Sequence, residues 1–203
     1  VQPVVRTPLS DQIRQTLLDG LIGGRWGPGD RIVERQVAAE AGVSQAPVRE
    51  ALRELAALRL IEFAPNKGAR VRELTQADLR EVYVVRAGLE ETAVRLRRPP
   101  VAALRAHLER LHEAASVSEQ VRHGVAFHRE IVRGAGNEVL LSVWESLGIE
   151  VWTHLSIRLL RTHALENAAD HEPLLAAFER DDPRVGVLLR EHVLSYAERG
   201  THT

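Results

Sequence analysis

The sequence predicts a mainly α-helical chain in two parts. Residues 1–73 read as three helices followed by a β-hairpin, and residues 74–203 as an all-helical bundle of about six helices. Three observations lead there. Apolar residues recur at three- and four-residue spacing through most of the chain. Strand-like alternation is confined to "LIEFAPNKGARVREL", residues 60–74. Glycine and proline punctuate the rest at intervals that suit helices.

Pro8 and Ser10 open the first helix, whose buried stripe is Ile13, Leu17, Leu18 and Leu21. Gly23, Gly24, Gly27, Pro28 and Gly29 end it. A short second helix fits Glu34–Ala41 and stops at Gly42. Ser44 is a natural N-cap for a third, with Pro47 in the first turn, where a missing N–H does little harm. Val48, Leu52 and Leu55 are its core face, and it runs to about Leu58. Phe63 and Val71 then flank a Pro-Asn-Lys-Gly hairpin tip. In the second part, Thr75 caps a helix reaching about Arg97, and Pro99-Pro100 separates it from one ending near Ala115. Ser116 or Ser118 opens a third, ending near Gly134. Asn137 opens a long fourth, to about His163. A fifth covers about 166–180, and after "RDDP" a sixth runs from Pro183 to about Arg199.

Composition narrows the function classes. The chain has no Cys, which excludes disulfides, thiolate metal sites and Cys nucleophiles. No apolar run approaches 18 residues, so no membrane span is expected. No signal peptide is visible, and an intracellular, cytoplasmic location is the expectation. Net charge is only −1, but residues 1–73 carry 11 basic against 9 acidic side chains, and residues 74–203 carry 16 against 19. A nucleic-acid partner would therefore be bound by placement of charge rather than by its bulk. Lys67 is the only Lys. Arg suits bidentate contact with phosphate or guanine, although codon bias in a GC-rich genome would also favour it.

Ala38, Gly42 and Val48 have the spacing of a helix-turn-helix: a small residue where helices approach, a glycine for the turn, an apolar anchor on the second helix. In the DNA-binding version of this unit the second helix enters the major groove with its N-terminal residues toward the bases. Gln45 and Arg49 stand one turn apart opposite Val48 and Leu52, and Arg53 extends the stripe. Gln pairs with adenine and Arg with guanine through two hydrogen bonds each. Arg35 could reach phosphate or a base edge, and the Asn66-Lys67-Gly68 tip the backbone or minor groove. The bland alternative is a solvated helix face.

The stretch "GDRIVERQVAAEAGVSQAPVREALRELAALRLIEFAPNKGARV" resembles the winged helix-turn-helix of the GntR superfamily of bacterial transcription regulators, "PVREALREL" being its most specific piece. "LTQADLREVYVVRAGLEETA", "FHREIVRGAGNEVL", "HEPLLAAFERDDP" and "LLREHV" resemble that superfamily's FadR-type (FCD) effector domain. Six C-terminal helices rather than seven is closest to the VanR-like subgroup. The resemblance implies DNA contacts from Arg35, Ser44, Gln45, Ala46, Arg49, Arg53, Asn66, Lys67 and Gly68. It departs from the family at Gln45, where Arg is frequent, and at Ala46, where Thr or Arg is, so base preference should differ.

The same resemblance implies metal ligands at His128, His171 and His192, with a divalent ion, Zn or Ni, as cofactor. Gly124 stands where relatives carry an Asp or Asn, which leaves the site without its carboxylate. The alternative is a polar pocket of three imidazoles and no ion. Arg86 matches an arginine that faces the effector in relatives, or serves a salt bridge to Glu90 or Glu91. Asn137 and Arg158 are further effector candidates, Asn137 also reading as a plain N-cap, and Trp144 and Trp152 as pocket lining or core. The function expected is a ligand-responsive, homodimeric repressor that binds a near-palindromic double-stranded DNA operator and senses a small organic acid. The alternatives are a metal-dependent hydrolase at the three histidines, which would lack a general acid or base beside the ion, and a DNA-binding protein whose helical part only dimerises.

Overall fold

A computed structural model describes residues 9–64, 68–160 and 167–198. The chain falls into two compact units that divide between Leu74 and Thr75.

The first unit contains α1 (Leu9–Ile22), α2 (Glu34–Ala41), α3 (Gln45–Ala57) and a three-stranded antiparallel sheet of β1 (Arg31–Ile32), β2 (Ile61–Ala64) and β3 (Gly68–Val71), in the order β1-β3-β2. Leu17, Leu21, Leu52 and Leu55 fuse α1 to α3 in the core, and Val48 and Ala38 close the contact with α2. Gly42 caps α2 in the left-handed region (φ 66°), where a Cβ would be strained, and its N–H returns to Ala38 and Ala39. Ile32, Ile61, Ala69 and Val71 form the buried face of the sheet. The sequence reading holds β2 and β3 but not β1: two residues are too few to show a period.

The second unit is helical: α4 (Gln76–Leu96), α5 (Val101–Glu113), α6 (Val117–Gly134), α7 (Glu138–Glu145), α8 (Ile149–Leu160), α9 (Ala168–Glu179) and α10 (Val185–Glu198). Thr75 and Asp78 form a reciprocal capping box at the start of α4. That helix is the hub, packed by α6, α7, α8 and α10, with Tyr83, Arg86, Ala87, Glu90 and Ala93 wholly buried. Seven helices, not six, stand among the described residues of this unit. The long helix expected from Asn137 is broken, because Gly148 takes a left-handed conformation (φ 62°) that ends α7 and lets α8 start in a new direction. The helix count that favoured the VanR-like subgroup is therefore not the one observed.

Candidate nucleic-acid interface and histidine centre

In the first unit, amphipathicity sorts α3 into two faces. Val48, Ala51, Leu52 and Leu55 are buried, whereas Gln45, Ala46, Arg49 and Arg53 are exposed. Arg35, on the first turn of α2, is exposed as well. Arg49 reaches back to α2, donating from Nε (3.1 Å) and Nη2 (2.9 Å) to Glu34 Oε2. Ser44 occupies the N-cap position of α3, but its side chain makes no capping hydrogen bond, so the hydroxyl stays free. Gly68 begins β3 and pairs with Ala64 across the hairpin. Asn66 and Lys67 lie outside the described residues.

In the second unit, three helices bring their imidazoles together. His128 of α6 and His171 of α9 are fully buried and His192 of α10 is half-buried. His128 Nε2 lies 3.2 Å from Nε2 of His192 and 3.2 Å from Nε2 of His171. The ligating nitrogens all fall within 4.8 Å of one another. Their outer nitrogens are held. His128 Nδ1 donates to Glu90 Oε2 (2.7 Å), and His171 Nδ1 donates to the Asn167 carbonyl (2.7 Å). Carboxylate and carbonyl oxygens only accept, so both Nδ1 atoms carry protons and both Nε2 atoms can present lone pairs inward.

Glu90 is itself locked. Its Oε1 accepts from Arg86 Nε (2.8 Å) and from the Trp144 indole (2.9 Å). Burial pushes this carboxyl up, but with His128 in its protonated form the charges of His128 and Arg86 and their hydrogen bonds outweigh burial and hold it at about 2. Phe127 and Tyr196 pack edge-on against His171 and His192, making the outer wall apolar. The donor set fits a divalent metal. Nitrogens bound at about 2.0–2.1 Å to one tetrahedral ion stand roughly 3.3 Å apart, close to the observed spacings to His128.

Residues 9–71 match the family described as bacterial regulatory proteins, gntR family, and residues 81–195 match the FCD domain. The probable D-xylose utilization operon transcriptional repressor of Paenarthrobacter nicotinovorans is 36% identical over 208 residues, covering 98% of this chain and 92% of its own. The chain belongs to the gntR family of bacterial regulatory proteins. The HTH-type transcriptional repressor GlaR of Escherichia coli is 32% identical, over 88% of this chain and 90% of its own. A solved putative GntR regulator from Rhodococcus shares the fold (TM-score 0.76, 21% identity, 97% of this chain and 100% of that one). This gntR-family protein is a DNA-binding transcriptional regulator, and the hydrolase alternative falls with that assignment. No helix among the described residues is long and apolar enough to cross a membrane.

Two of the regulator's expected effector residues are otherwise engaged. Asn137 caps α7, its Oδ1 accepting from the Leu140 N–H at 3.0 Å, which spends the side chain on the helix terminus. Arg86 is buried with its Nε on Glu90, i to i+4 along α4, so the salt-bridge alternative describes it. Arg158 is different: it is half-buried on α8 and its enclosed Nε has no hydrogen-bond partner among the described residues. Trp144 and Trp152 are buried core residues. The sequence reading missed Glu90 as the anchor of His128. Arg86 and Glu90 are legible as a helical pair, but nothing local links Glu90 to a histidine 38 residues away.

Proposed function

We propose that this regulator is a homodimeric, ligand-responsive repressor that binds a near-palindromic operator, and that its helical unit senses a small organic acid at a divalent ion held by His128, His171 and His192. The observation that carries this reading is the locking of His128 and His171 through Nδ1, which aims their Nε2 atoms at one interior point. Any buried histidine needs a partner for its ring N–H, but core packing alone does not call for three imidazoles whose nitrogens converge. A bound ion would supply positive charge for a carboxylate. Arg158, whose enclosed Nε has no hydrogen-bond partner among the described residues, is a candidate cation for a second anionic group. A two-fold dimer would set two α3 helices in successive major grooves. Relatives named as repressors of D-xylose utilization and gluconate operons make gluconate and similar sugar acids the first effector candidates.

The test uses the purified full chain and duplexes it selects from random DNA. Metal analysis should find one divalent ion per chain, lost in His171→Ala. Adding gluconate or another carboxylate should release the selected duplex from the wild type and not from the variant. A chain that holds no ion at any stage of purification or reconstitution, yet responds normally to an acid, would refute metal-dependent sensing.

A further inference from the structure

Arginines of the first unit separate into two groups. Arg14 pairs with Glu54, Arg25 with Glu40 and Arg49 with Glu34, while Arg70 and Arg72 donate to the carbonyls of Gly29 and Arg59. Arg31, Arg35 and Arg53 have no acidic partner among the described residues. Arg35 and Arg53 belong to the helix-turn-helix face. Arg31 does not: it is a strand residue in β1, and helix patterning gives no reason to single it out.

Its surroundings do. A groove of about 300 Å³ runs between β1, the first turn of α2, the start of α3 and the start of β3, lined by Arg31, Arg35, Gln45 and Gly68, with Glu34 its one acidic residue. Glu34 is already occupied by Arg49. Arg31 lies directly opposite Arg70 in the β1–β3 ladder, on the outer face, with Glu62 opposite Arg70 on the far strand. Like charges facing each other across a sheet destabilise it. Arg70 turns away to Gly29, and Arg31 runs along the sheet toward the hairpin tip: a Cβ on Gly68 would sit 3.6 Å from its Nε and 3.7 Å from its Nη2. The fold thus tolerates an exposed guanidinium, opposite a like charge, beside the recognition helix.

We propose that Arg31 is a DNA-contacting residue that binds a backbone phosphate beside β3 of the wing, where the strand bordering the major groove passes between α3 and the hairpin. This rests on the DNA-binding reading. Phosphate is the partner rather than a base, because Arg31 lies on β1, outside α3, and shares its groove with Gln45 at the start of that helix, which the DNA-binding reading sets toward the base edges. A phosphate contact positions the protein without reading sequence.

The experiment is fluorescence anisotropy of the full chain against a selected duplex and against single-base variants of it, over a salt series. Arg31→Ala should fold as stably as wild type or more so, since it removes a like-charge pair. It should bind every duplex about tenfold more weakly, and the slope of log K against log salt should fall by about 0.9. Arg31→Lys should restore the slope. Wild-type affinity and slope in Arg31→Ala, beside weakened binding in Arg49→Ala, would overturn the assignment to Arg31 alone. A loss confined to particular base variants would overturn phosphate as its partner. A wild-type chain that selected no duplex would sink the DNA-binding reading and this one with it.

Discussion

Glu90 Oε2 lies 2.7 Å from His128 Nδ1, both side chains wholly buried, on helices that meet far from either residue's neighbours in sequence. This contact joins the salt bridge of α4 to the histidine centre. It fixes the ring whose Nε2 lies 3.2 Å from Nε2 of each of the other two imidazoles. Removing the carboxylate should therefore have two separable effects. Glu90→Gln should lower metal affinity about 10–100-fold, read by chelator competition. It should also destabilise the fold by about 3–5 kcal/mol, read by urea unfolding without metal, because Arg86 is left as a buried charge without its counter-ion.

The same carboxyl sets an acid limit on stability. Its folded value, about 2, lies below the ordinary glutamate value of 4.5 expected when unfolded, so ionised Glu90 stabilises the native state. That contribution is complete above about pH 4.5 and is lost as pH falls toward 2. The stability gap between wild type and Glu90→Gln, measured by urea unfolding, should shrink steadily from pH 5 to pH 3. A gap independent of pH would mean that the carboxyl does not titrate there.

Arg49 and Glu34 make the opposite kind of pair. It is exposed, Arg49 being 51% accessible, so solvent screening leaves it little contribution to stability. Base or phosphate contact by Arg49 must compete with it. Arg49→Ala should weaken operator binding by about 1–3 kcal/mol. Glu34→Gln should strengthen it severalfold, because it frees the guanidinium and removes an anion from the DNA face. Weaker binding in Glu34→Gln would show that the carboxylate orients Arg49 rather than restrains it.

Packing at the end of α6 gives a test of the helical unit that touches no site. A Cβ at Gly134 would lie 2.7 Å from Pro99 Cα, and backbone cannot yield as a flexible side chain can. Gly134→Ala should cost about 1–3 kcal/mol in thermal or urea unfolding. Its DNA affinity below the melting transition should be unchanged.

Much of this regulator was legible in its residues. The helix-turn-helix follows from Ala38, Gly42 and Val48, and the exposed stripe from the helical period. That period puts Arg49 and Arg53 outside the arc of Val48, Ala51, Leu52 and Leu55, whereas Gln45, almost in line with Leu52, is exposed because it begins the helix. Caps at Thr75, Ser116 and Asn137 are chemistry of adjacent residues, and local sequence determines them. What lay beyond it was of two kinds. Some elements were too short or too ambiguous for pattern: β1, with two residues, and the break at Gly148, since a glycine in an apolar run reads equally as helix interior. The rest depended on which helices become neighbours. The tertiary structure alone pairs Glu90 with His128 and buries the Arg86–Glu90 pair, and among the described residues it leaves Arg31 without an acidic partner and Arg158 Nε without a hydrogen-bond partner. Periodicity tells a side chain which way to face along its own helix. Only packing decides what it meets there, because that is a property of two elements and not of one.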